Sequence, residues 1–189
     1  MSGPTSLTIV RCAVFEHFDR AMLHVVLGLD ATEVDAVLSL AEVERRGPDL
    51  FALQPQARRE LLARLRAEAA PEERVLHRRA FDHLISRLAG ADAGAAWLAA
   101  ACLHHLEALR DLNLDYMRWH EMSAMIARVR ALALDLQPDL ADRLELLEAY
   151  HAFRQQAYGQ SEHILERLLG RADLPARLRG EALITRGRS

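Results

Sequence analysis

The sequence predicts an all-α chain in two parts, and three observations carry that expectation. Apolar residues recur at helical spacing along almost the whole chain. Gly and Pro, with Asn113, punctuate it at short intervals, so the helices must be joined by tight turns. A single stretch, Leu50-Phe51-Ala52-Leu53, reads instead as a short strand, and Gln54-Pro55 ends it.

Leu7 to Phe18 places Leu7, Val10, Val14 and Phe18 on one helical face, with Ile9 and Ala13 beside them. Asp19 can cap a second, short helix through Leu27, which stops at Gly28. Asp30-Ala-Thr-Glu33 is a capping-box-like start for a third helix reaching about Val43, with Val34, Val37, Leu38 and Ala41 inward. Arg45-Arg46-Gly47-Pro48-Asp49 then forms a turn before the strand. Pro55 pre-sets φ for the next helix, which runs to about Ala69. Three short helices, a turn and a strand outline a small winged-helix domain over residues 1–69.

Residues 70–189 read as antiparallel helical hairpins. The expected helices are 72–88, 94–110, 115–135, 139–156, 160–170 and 175–187. Arg143, Glu145 and Leu147 recur as Arg179, Glu181 and Leu183; Leu103, Leu106, Glu107 and Ala108 recur as Leu144, Leu147, Glu148 and Ala149. Both intervals lie near the periods of helical arrays, roughly 34 residues for tetratricopeptide (TPR) repeats and about 40 to 47 for armadillo-like ones. A TPR-like array is the expectation. Its last segment, from Glu181, reads as the first helix of a further repeat without its partner, so a piece of a longer array is expected.

Composition excludes several functions. Hydrophobic residues at 51% and charged ones at 27% argue against disorder. A net charge of -3 removes the usual electrostatic attraction to nucleic acid. All 24 basic residues are Arg, so the chain has no lysine for a Schiff base or a phosphate loop. Cys12 and Cys102 lie far apart in apolar surroundings and are expected as buried free thiols in a reducing compartment. No stretch approaches the roughly 18 to 20 apolar residues of a membrane span. The N-terminus lacks the pattern of a signal peptide, so a cytoplasmic protein is expected.

Sites of chemistry are scarce. His104 and His105 are adjacent and point about 100° apart on a helix, unlike a chelating i, i+4 pair. Glu148-x-x-His151 has di-iron spacing, but such bundles need a second copy and two more glutamates. No serine sits in a G-x-S-x-G turn, and neither phosphate-cradling glycine motif is present. No catalytic residue, metal or cofactor is expected. DNA is disfavoured too, because Asp30 to Glu44 holds Asp30, Glu33, Asp35, Glu42 and Glu44 and no base, so a helix there would repel phosphates. Only Arg45, Arg46, Arg58 and Arg59 nearby could meet a phosphate backbone. Tyr116, Met117, Trp119 and His120, near Met122 and Met125, are the candidate lining of a groove for a protein or peptide partner.

Phe51-Ala-Leu-Gln54-Pro55, followed by Arg58-Arg-Glu-Leu-Leu62, resembles the winged-helix segment of STAND regulators, the signalling ATPases that include large LuxR-type transcription activators. Their pattern is an aromatic-x-Leu-His-Pro strand end leading into a helix with a Leu-Leu pair. Pro71, Leu76-His77 and Ala80 match the family's next motif, and Phe18-Asp19 and Leu27-Gly28-Leu29 match earlier steps. The resemblance covers about residues 5 to 189. It implies a non-catalytic regulatory module downstream of an ATPase domain. In the family the winged helix clamps the nucleotide-bound ATPase, its strand-end histidine meeting a phosphate, and the repeats bind an inducer or partner protein. Here that nucleotide-contact position holds Gln54, whose neutral amide can donate a hydrogen bond but carries no charge. The alternatives are a winged-helix DNA-binding regulator and a free-standing helical-repeat adaptor.

Overall fold

The computed structural model describes residues 6–90, 96–112, 119–132 and 137–188. The described chain is mostly helical, as expected of an all-α protein, with one two-stranded sheet. It divides into two compact units, Met1–Ser86 and Arg87–Ser189. No described helix is long and apolar enough to cross a membrane.

In the first unit α1 spans Ser6–Cys12, α2 Arg20–Leu27 and α3 Ala31–Leu38. The expected first helix to Phe18 stops early. Ala13, Val14 and Phe15 close tight i to i−3 turns, and Phe18 pairs instead with Phe51 in an antiparallel bridge, both N–H···O distances being 2.8 Å. The buried rings of Phe15 and Phe18 lie 6.2 Å apart, so Phe18 keeps its inward place in a non-helical backbone. The Asp19 side chain accepts from the Met22 N–H at 2.8 Å, and α2 ends on Gly28 at φ 74°, where the N–H returns to the His24 carbonyl. Asp30 and Glu33 form both bonds of a capping box, each 2.9 Å.

The third helix also ends sooner than expected, at Leu38 instead of about Val43. Val43–Arg45 is a strand, β1, paired antiparallel with β2, Phe51–Leu53, so that Val43 faces Leu53, Glu44 faces Ala52 and Arg45 faces Phe51. Ala41, expected inward on a longer helix, is exposed instead, and continuing the helix would leave β2 with its outer edge unpaired. The β2 backbone, which has Phe18 on its other side, therefore decides the conformation of Val43. In the hairpin loop Arg45 Nε donates to the Gly47 carbonyl at 2.9 Å, and Arg46 pairs with Glu44 at 2.5 Å.

Helix α4 covers Pro55–Ala89 and bends at Ala69 (φ −150°, ψ 48°), ahead of the Pro71 ring that cannot donate to the helix ladder. Across the bend Arg66 grips the buried Glu73 with Nε and Nη2 at 2.9–3.0 Å. Arg11 of α1 meets Glu72 at 2.6 Å.

The second unit consists of α5 (Ala96–Leu112), α6 (Trp119–Leu132), α7 (Pro138–Arg154), α8 (Tyr158–Leu169) and α9 (Ala176–Arg186). Pro138 opens α7 and Pro175 precedes α9, both suited to a helix start. Each helix from α5 packs on the next, and α7 also packs on α5 and α9. Leu146 and Ala149 of α7, Ile164, Leu165 and Leu168 of α8, and Leu178 and Ala182 of α9 share one buried cluster. Buried Ser161 adds a hydrogen bond to the Ala149 carbonyl at 2.9 Å. Arg143 of α7 grips Glu107 of α5 with two bonds of 2.8 Å, and Arg171 joins Asp142 and Glu145. The expected helical stretches 94–95, 115–118 and 133–135 lie outside the described residues.

Candidate functional site

Gln54 stands at the exit of β2, exposed, one residue before α4 begins. Its backbone N–H donates to the Glu42 carbonyl at 2.8 Å, and its side-chain Nε2 donates to the Ala41 carbonyl at 3.0 Å. Its own carbonyl accepts the Arg58 N–H and so opens α4. The amide that sequence reasoning offers to a phosphate is therefore bonded to the segment entering β1.

That segment borders a half-open pocket of about 150 Å3, lined by Ile9 of α1, Glu42, and Ala57, Glu60 and Leu61 of α4. Three of its lining residues are apolar and two, Glu42 and Glu60, are acidic and exposed. Sequence reasoning missed it, because its lining comes from α1, the segment before β1 and α4, which are distant in sequence.

The arginines expected near a phosphate are spent on the protein itself. Arg58 Nε donates to the carbonyls of Ala13 at 3.1 Å and Phe15 at 2.9 Å. Burial, then the charge of Arg66, pulls its guanidinium below the ordinary range, against an opposing pull from Glu16. Arg59 bonds to Gln56, and Arg45 and Arg46 serve the hairpin. His77 is buried on α4, with Nε2 3.9 Å from Glu73.

Of the proposed groove residues, Tyr116 and Met117 and the side chain of Trp119 lie outside the described residues. His120 is exposed in the first turn of α6, while Met122 and Met125 are buried. One turn further, Ser123 is hydrogen-bonded to His151 Nε2, and Gln155 Nε2 donates to Ser123 Oγ at 3.3 Å. A hydroxyl on an imidazole is the contact by which a base activates a nucleophile. Here burial first and His120 second push His151 below its ordinary pKa, and Glu148, one turn away on α7, is bonded through both oxygens to Arg130. Glu148 and His151 thus engage different helix α6 partners and do not converge on one point.

Both thiols are buried, and burial pushes each up to about 12. Cys12 donates weakly to the Thr8 carbonyl at 3.4 Å. They are core groups with no thiolate at neutral pH.

No protein-family model, no curated protein and no solved structure matches this chain significantly.

Proposed function

We propose that the chain is a non-catalytic regulatory module, the winged-helix and TPR-like sensor part of a STAND-type signalling ATPase or transcription regulator. The observation that carries the reading is the order α1–α2–α3, then the β1–β2 hairpin, then Gln54-Pro55 opening α4. In the second unit the succession of α7, α8 and α9, with α7 also packed on α9, agrees with stacked helical repeats. The repeats would offer a surface to a protein, a peptide or a small inducer, and the first unit would relay its occupancy to an ATPase domain. Because the Gln54 amide is bonded to Ala41 and carries no charge, the clamp in this chain works through protein contacts more than through a nucleotide phosphate.

Two measurements test this. Purified protein titrated with duplex DNA at low salt should show no shift; salt-sensitive binding would favour the DNA-reading alternative. The reading frame that encodes the chain should carry a phosphate-loop ATPase sequence upstream. A frame that starts independently, with no such domain, would leave only the free-standing adaptor.

A further inference from the structure

Helix α9 turns one side to the core and carries an apolar stripe on the other. Leu178, Ala182 and Thr185 are buried, and at about 100° per residue they share one side of the helix. Gly180, Leu183, Ile184 and Gly187 fall on the opposite side, where Leu183 is 54% and Ile184 57% exposed. A Cβ added at Gly180 would meet nothing within 4 Å. Glycine weakens a helix interior relative to alanine, so packing within this unit gives no reason for it there. The two edges of the stripe differ in charge. On one edge Arg177 pairs with Glu181 at 3.1 Å, and Arg188, placed there by helical spacing, has no carboxylate among the described residues. On the other, Glu162 and Glu166 of α8 are each 57% exposed and share one arginine, Arg186, at 3.8 and 3.4 Å. Arg179, further along that edge, is turned to the carbonyls of Leu169 and Arg171. At the Arg186 end, a guanidinium without a partner therefore borders one edge and an excess carboxylate the other.

We propose that this stripe pairs with the same stripe of a second copy of the chain, the two α9 helices lying side by side and parallel. A two-fold axis along the helices sets each edge of one copy against the opposite edge of the other. Arg188 then meets Glu162 and Glu166 of the second copy, twice over by symmetry. An antiparallel pairing would set like edges together and keep Arg188 away from those carboxylates. Leu183 and Ile184 of the two copies cover one another, and the glycines on either side let the backbones approach closely. The same patch serves both copies, so the contact closes as a dimer and builds no filament. A helix of 11 residues is only about 16 Å long, too short for the roughly 1,200 Å2 of a stable interface. The dimer is accordingly weak, with a Kd on the order of 100 μM. The inference stands on α8 and α9 and requires neither an ATPase neighbour nor a ligand on the repeats.

The test is sedimentation equilibrium of the full chain over concentrations spanning that Kd, where a monomer–dimer equilibrium is expected. Leu183→Gln and Ile184→Gln should each weaken it about tenfold. Arg188→Glu should weaken it about two- to fivefold, as should added salt, and adding Glu162→Arg to Arg188→Glu should recover the loss. Gly180→Gln should weaken the dimer while raising the melting temperature, because glutamine favours a helix and has open space at that position. A glycine with a role inside the unit would instead melt earlier on substitution. A monomer at every concentration would leave the face to some other partner and overturn the proposal. A dimer that none of these substitutions weakens would overturn it too, and a charge swap that deepens the loss would overturn the parallel pairing. Leu183, Ile184 and Arg188 are exposed, so their variants should fold. If one melted early, the concentration series and salt dependence of the unaltered chain would still decide.

Discussion

Arg58 reaches back from the first turn of α4 to Phe15, its Nε lying 2.9 Å from the Phe15 carbonyl oxygen and 3.1 Å from that of Ala13. Those carbonyls belong to the turn where α1 stops, and no helix ladder satisfies them there. Arg58→Ala should therefore lower stability by about 1.5–3 kcal/mol, the range for hydrogen bonds to a charged donor. Arg58→Lys should recover only part of that, since an ammonium lacks the Nε–H of the fork. Urea melts of the three proteins check it, and a loss below about 0.5 kcal/mol, the scatter of ordinary surface changes, would show the contact to be incidental.

Gln54→Ala removes one of two bonds that hold the segment before β1, and the expected loss is about 1 kcal/mol. Gln54→Glu should cost more, because it turns an acceptor toward the Ala41 carbonyl. A ranking in which Glu is the milder change would place the amide elsewhere.

Glu73 is 1% exposed, and burial alone would raise its carboxyl pKa. The His77 imidazole 3.9 Å away and the hydrogen-bonded Arg66 guanidinium together outweigh burial and hold it below the ordinary range. A depressed folded pKa means stability that is present above the unfolded value of about 4.3 and is lost as pH falls below it. Glu73→Gln should destabilise the protein at pH 7 and flatten its stability profile below about pH 4.5. Thermal melts across pH 3 to 7 would read both effects; a variant whose acid profile parallels the unaltered chain would refute the assignment.

For His151 the sign is reversed in origin though similar in direction. Burial, helped by His120, lowers its pKa, so the unfolded chain takes the proton first. Stability should drop as pH falls from the ordinary value of about 6.5 toward the lowered one. His151→Gln should remove that part of the slope below about pH 6.5, and a proton NMR titration should give His151 a midpoint below the ordinary histidine value of about 6.5.

Cys12 and Cys102 should resist a disulfide-exchange reagent in the native protein at pH 8 and react fully in denaturant. Both are buried, with thiol pKa values pushed up to about 12. Rapid native labelling of either would mean that its surroundings open readily.

Local chemistry made much of this fold readable. Asp19, Asp30 with Glu33, Gly28, Pro138 and Pro175 mark helix ends, because a cap or a stop acts on backbone groups within one turn of itself. Phe18 and Val43 were misplaced in helices for the opposite reason. Their apolar spacing is helical, but each is held by β2, a strand far along the chain. Spacing reports which side of an element is inward and cannot report a partner that lies outside the element.

The site divides in the same way. The sequence by itself determined an all-α chain with one strand-like step, an acidic third helix, a glutamine before Pro55 and no lysine, since these follow from residue type and neighbours. Only the tertiary structure decided that Gln54 bonds inward to Ala41 and that Arg58 serves the α1 turn. It also brought Ile9, Glu42, Ala57, Glu60 and Leu61 to one pocket. Those outcomes depend on which groups meet across distant segments, and the free energy of a charge is set by the partners and water around it.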